Sequence, residues 1–198
     1  MYQEITLLAA ARKMDEGALT EIFELYAPAL YKYAFRLCNN AAMADQVVGD
    51  VFGKFIEQLE AGRISRLILR SCLYEIAYGI LVREGRYANY FVPTDLAVRV
   101  YPGHRSKNLG VDEQKLFDVI QQALRYELTD DQHHVLILRF MEGFSLKETA
   151  SIIGKKVNNV KVIQNRGLAA LRKALDYQAV ETTNITFFLR RMAQAYLV

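Results

Sequence analysis

At 198 residues the chain can hold one large domain or two small ones. It is 52% hydrophobic and 24% charged, which sets aside a disordered or low-complexity protein. No apolar run reaches the roughly 18 residues of a membrane span, and the formal charge of +3 hides an uneven distribution.

The N-terminal stretch MYQEITLLAAARKMDEG lacks the basic start and long apolar core of a secretory signal. A cytoplasmic protein without membrane insertion is expected. The first predicted helix runs from about Ala18 to Leu37, with Leu19, Ile22, Phe23, Tyr26, Leu30, Tyr33 and Leu37 as its apolar stripe. Pro28 inside it predicts a kink or a split. A second helix follows with Val47, Val48, Val51, Phe52, Phe55, Ile56 and Leu59 on one face, closed by Gly62. A third is expected from about Ser65 to Arg83. Its inward residues are Leu69, Cys72, Leu73, Ile76, Ala77, Ile80 and Leu81, and its outward side includes Arg66, Arg70, Tyr74 and Arg83.

Pro93 and Pro102, with Gly85, Gly103 and Gly110, mark a linker. Beyond it a helix is expected from Glu113 to Tyr126 through Leu116, Ile120 and Leu124. The apolar pattern Val135, Leu136, Leu138 and Phe140 then ends near Gly143. Ser145 starts a short helix through Ile153, and Gly154-Lys155-Lys156 makes a turn into a basic helix. The final stretch, YQAVETTNITFFLRRMAQAYLV, reads as a separate amphipathic tail that packs Phe187, Phe188 and Tyr196 against the chain itself. The fold class is therefore all-α, with two small helical domains joined by a linker. The domain bounds are 1–86, a linker over 87–111, a helix-turn-helix domain over 112–177 and a tail over 178–198.

Charge follows this division. Residues 1–62 carry 5 basic and 9 acidic side chains, residues 63–106 carry 7 and 3, and residues 154–175 carry 6 and none. Helix, short helix, glycine turn and basic helix make a helix-turn-helix duplex reader. At about 100° per residue, Val160, Ile163, Gly167 and Leu171 face the core of that helix, with Gly167 allowing a close neighbour. Asn158, Val162, Asn165 and Ala169 face outward, flanked by Lys161, Arg166, Arg172 and Lys173. Amides can bond base edges and cations can meet phosphates. Lys155, Lys156 and Asn159 join the set at the helix N-terminus.

Other chemistry is not signalled. Cys38 and Cys72 are too few for a disulfide framework or a zinc site and read as small buried side chains. His133 and His134 point about 100° apart on a helix, a poor metal pair, and are expected at the surface. With no phosphate loop, GxSxG, HExxH or CxxC, no enzyme, cofactor or metal is expected.

The blocks FELYAPALYKYAFRLCNNAAMADQVVGDVFGKFIEQL and RLILRSCLYEIAYGILVREGR, with the "LRF-EGFS-KE-A-IIG" core of Leu128–Leu175, carry a resemblance. The chain resembles bacterial sigma factors of the sigma-70 family, in the two-domain extracytoplasmic-function (ECF) group. That resemblance implies a protein that binds core RNA polymerase and promoter DNA. Asp45, Gln46, Asp50 and Phe52 would dock on the polymerase clamp. Arg63, Arg66, Arg70, Tyr74, Tyr78, Arg83 and Arg86 would meet the −10 element. Residues 158–173 would read the −35 element, and the far side of that domain would hold the polymerase flap. An anti-sigma factor is a further implied partner. The sequence departs from the family's pattern at Cys72, where a tryptophan is common, and at Glu75, Tyr78 and Gly79. The alternative is a helix-turn-helix regulator whose first domain is a dimerisation or sensor module.

Overall fold

The computed structural model describes residues 2–38, 40–64, 68–83, 120, 122–124, 126–177 and 185–195. Every regular element among them is helical. The chain divides into two compact units, Met1–Phe91 with Ser151–Ile153, and Val92–Ala150 with Gly154–Val198. The linker over 87–111 and the first part of the helix expected from Glu113 to Tyr126, with Leu116, lie outside the described residues; its later residues 120, 122–124 and 126 are helical, with Ile120 and Leu124 buried as expected.

The first unit begins with a helix the periodicity does not announce, α1 (Tyr2–Ala11). Its short apolar run buries Leu7, Leu8 and Ala11 against α2 (Glu16–Cys38). The Tyr26 hydroxyl donates to Glu4, and Arg12 donates to the Ile64 carbonyl at 2.9 Å, so polar bonds fasten α1 at both ends. Burial, then the Glu4 carboxylate, raises the Tyr26 pKa.

Helix α2 runs unbroken through Pro28, contrary to a split. Its core side is Ile22, Tyr26, Leu30, Tyr33, Ala34 and Leu37. Phe23 is not part of it. It is 47% exposed and lies on the rim, its ring 4.8 Å from that of Phe52. Asn40 caps α3 (Ala41–Glu60) by accepting from the Met43 N–H at 3.1 Å. The predicted stripe of α3 is buried throughout except Ile56, which is half-buried. Gly62 then takes a left-handed φ of 63° to turn the chain away.

Helix α4 (Leu69–Tyr78) starts later than Ser65 and ends in a π-helical turn, Gly79–Arg83. It is buried on nearly all sides. Tyr74 was expected outward but is fully buried, its ring 5.1 Å from that of Tyr33. Tyr78 and Ser71 are buried as well. An aromatic body this large gains more from a core position than from solvent, and the periodicity cannot register a second covered face.

In the second unit, α5 (Asp130–Leu136) continues into a π-helical turn, Ile137–Met141. Then follow α6 (Leu146–Ile153), α7 (Val157–Tyr177) and α8 (Ile185–Ala195). Ile120, Ala123, Leu124, Leu136, Phe140, Leu168, Leu171 and Leu175 form one core with Ile185, Leu189 and Met192 of α8. The tail helix is thus part of this core rather than a separate element. Phe188 packs partly against it, but Phe187 stays 54% exposed, the reverse of expectation; Tyr196 is outside the described residues. The amphipathic period decides this: Ile185, Leu189 and Met192 share a face, and Phe187 lies off it.

His133 and His134 correct a second expectation. Both are buried, with rings 6.5 Å apart. Burial lowers the His134 pKa to about 4, so the ring is neutral at physiological pH. Among the described residues no helix is long and apolar enough to cross a membrane.

Candidate nucleic-acid interface

Local chemistry fixes each element of the reader. Thr129 opens α5 with a capping box: Gln132 N–H donates to the Thr129 hydroxyl at 3.4 Å, and Thr129 N–H donates to Gln132 Oε1 at 3.1 Å. Ser145 and Glu148 repeat the device at α6, at 3.2 and 2.7 Å. Gly154 stops α6 with φ 67°, and the Lys155 N–H closes back on the Ala150 carbonyl at 2.9 Å. That is a Schellman stop, and it turns the chain directly into α7.

Gly167 brings α5 and α7 into close contact. A Cβ there would lie 3.2 Å from Leu136 Cδ1 and 3.3 Å from Gln132 Cβ. Arg139 ties the same elements together, a role the sequence reading missed. Its Nε donates to Gln164 Oε1 at 3.0 Å, a second guanidinium nitrogen donates to the Phe144 carbonyl, and the group lies 5.9 Å from the Phe140 ring centre. Burial and the nearby Arg190 charge lower its pKa, opposed by Glu148. The signal was present in the quoted "LRF" string, but an arginine in an apolar run gives no hint of its three partners.

This packing leaves one face of α7 in water. Val160, Leu168 and Leu171 are buried and Ile163 is half-buried. Asn158, Asn159, Lys161, Val162, Asn165, Arg166, Ala169, Arg172 and Lys173 are exposed, as is Lys156 before the helix. Lys155 differs: its ammonium is 3.0 Å from Asp131 at the start of α5. Amides and cations thus share a helix face with no acidic residue between 154 and 175. Such a face suits a duplex major groove, which admits one helix and is lined by phosphates.

The first unit is less complete. Arg63 is exposed, and half-buried Arg70 lies 5.6 Å from the Tyr74 ring centre. Tyr74 and Tyr78 are buried and offer no ring to an unstacked base. Arg66, Arg86 and the Arg83 side chain lie outside the described residues. On α3, Asp45 and Gln46 are exposed and Asp50 is half-buried, while Phe52 is 8% exposed and is a packing residue beside Phe23. Gly49 and Gly53 share the exposed side of α3, with nothing within 4 Å of either would-be Cβ. Among the described residues no group of His, Cys, Asp and Glu could hold a metal ion.

Residues 126–173 match the family model described as Sigma-70, region 4. The chain is 25% identical over 174 residues to the ECF RNA polymerase sigma factor SigW of Bacillus subtilis, covering 83% of this chain and 92% of that protein. Residues 126–173 are a sigma-70 region 4, and most of the chain is similar to ECF sigma factors. The ECF sigma factor SigX of Bacillus subtilis is 44% identical over 50 residues, 25% of this chain and 26% of that one. The crystal structure of the sigma factor RpoE with the anti-sigma factor NepR from Bartonella quintana gives a TM-score of 0.58 at 22% identity. It covers 79% of this chain and 96% of that one, a likeness of fold. The region 4 match spans α5, α6 and most of α7. Helix α8 lies beyond it, yet supplies three residues of the same core.

Proposed function

We propose that this chain binds core RNA polymerase and directs it to specific promoters, the work of a sigma factor. The observation that carries the reading is the exposed face of α7, held by two capping boxes and a glycine stop, with amides and cations and no acid. In this reading Asn158, Asn159 and Asn165 bond base edges of the −35 element, with Val162 among them. Lys156, Lys161, Arg166 and Arg172 hold phosphates, and Lys155 exchanges Asp131 for a phosphate when DNA binds. Each phosphate neutralised adds about 0.9 to the salt slope of binding. Arg63 and Arg70, with Arg66, Arg83 and Arg86, serve the −10 element. Tyr74 and Tyr78 support them from the core rather than touching DNA. Asp45, Gln46 and Asp50 form the docking surface for the clamp of the polymerase, with Phe52 fixing the helix beneath. The far side of the 112–177 domain receives the flap. The 1–86 and 112–177 segments act as the two promoter-binding domains, with 87–111 as the tether between them.

The role is recognition and asks no catalytic step of these residues. Its place is with the chromosome, in the cytoplasm. RpoE of Bartonella quintana was crystallised with an anti-sigma factor, and a protein that covers the docking surfaces is proposed for this chain too. The test is capture of the full chain by purified core polymerase. Retention that the paired substitution Asp45→Lys, Asp50→Lys weakens, with the helical spectrum intact, supports the reading. Undiminished retention of that variant removes the proposed docking surface, and no retention of the wild type removes the function.

A further inference from the structure

Val162 is a valine in the wrong place for the free protein. It is 48% exposed, in the second turn of α7, on a face otherwise made of amides, cations and Ala169. Among the described side chains of α7 it is the one large apolar group left exposed. A β-branched residue lowers helix propensity there, and about half of this one stays in water. Its χ1 is held near one rotamer, so its two methyl groups stand fixed above the helix. Asn158 and Asn159 precede it by four and three residues, and Asn165 and Arg166 follow by three and four. These are its surface neighbours on both sides.

In a major groove one base edge matches a fixed apolar group. Thymine carries a C5-methyl group where cytosine carries hydrogen, while the other groups at that edge are donors and acceptors. We propose that Val162 reads a thymine of the duplex promoter element through that methyl group. The inference rests on the duplex-reading role of α7 and names what one position of that face recognises. Four residues of helix rise ~6 Å, so the thymine lies within about two base-pair steps of the base bonded by Asn158. An asparagine amide bonds adenine bidentately, so the element includes an A·T pair beside this one.

The test uses the full chain assembled with core polymerase and a promoter obtained by selection. Each thymine of the duplex element, on either strand, is replaced singly by uracil, which pairs alike but lacks the methyl. At one thymine, uracil should weaken wild-type binding about fourfold, the worth of one buried methyl. There Val162→Ala should bind the thymine and uracil forms equally, Val162→Ile should keep the preference, and Asn158→Ala should keep it at lower overall affinity. If uracil costs nothing anywhere, or costs as much in Val162→Ala as in the wild type, the inference is overturned. The function stands in that case, provided binding is still sequence-selective and Lys161→Ala weakens all sequences evenly. Absence of any selective binding overturns both.

Discussion

Leu189 tests whether α8 belongs to the second unit's core. Its side chain is fully buried among Leu136, Phe140, Leu171 and their neighbours. Leu189→Ala removes three methyl-sized groups, about 2.4 kcal/mol of transfer at roughly 0.8 kcal/mol each. The cavity left behind adds to that, and the Leu→Ala range is about 2–5 kcal/mol. A terminal helix can shift to fill part of the space, so the expected loss is about 3 kcal/mol. Phe187 on the same helix is 54% exposed and touches Phe188 edge-on at 5.7 Å. Phe187→Ala should cost below about 1 kcal/mol. Urea unfolding of the full chain, followed by helical circular dichroism, reads both, with the second unit's transition fitted separately from the first. Equal losses for the two variants, or a loss under 1 kcal/mol for Leu189→Ala, would refute the placement of α8 in this core.

Gly49→Ala and Gly53→Ala should each stabilise the chain by up to about 1 kcal/mol, because a helical Cβ there meets nothing. Gly167→Val should instead cost about 1–3 kcal/mol through Leu136 and Gln132, and thermal melts compare all three. His134, whose folded pKa is lowered to about 4, refuses a proton that the unfolded chain accepts near 6.5. Stability is therefore lost as pH falls below 6.5, by about 2 kcal/mol between pH 7 and pH 5, and His134→Gln should remove most of that slope in unfolding titrations. In a binding-site selection, Asn158→Ala or Asn165→Ala should relax base preference, each worth roughly 1–3 kcal/mol of discrimination. Lys161→Ala or Arg166→Ala should weaken all sequences evenly and lower the salt slope; identical behaviour of the two pairs would contradict the register of α7.

The amphipathic helices were legible in the sequence because one covered face leaves a clear period. The stripes of α3 and α7, the capping Ser145 and the turn at Gly154 all follow from that period and from turn chemistry. What was not legible needed a second neighbour. Tyr74, Tyr78, His133 and His134 sit on helices covered from more than one side, so polar and aromatic side chains that a single period sends outward are buried. Helix α1 was missed because its run of small and apolar residues has no strong polar face. The bonds from Arg139 to Gln164 and Phe144, and from Lys155 to Asp131, join residues 5 to 25 positions apart. No local pattern encodes them. Phe187 shows the converse: a large aromatic ring in an apolar string, left in water by its register on α8.

Transcription in a purified system tests the central claim most directly. Core polymerase, the full chain and a template carrying a selected promoter are combined, and the transcripts are sized. A discrete transcript that needs the chain, starts at one site and is lost with the Asp45→Lys, Asp50→Lys variant is the predicted result. Transcripts indifferent to the chain, together with a stable homodimer on palindromic DNA, would contradict it and favour a regulator that works without joining the polymerase.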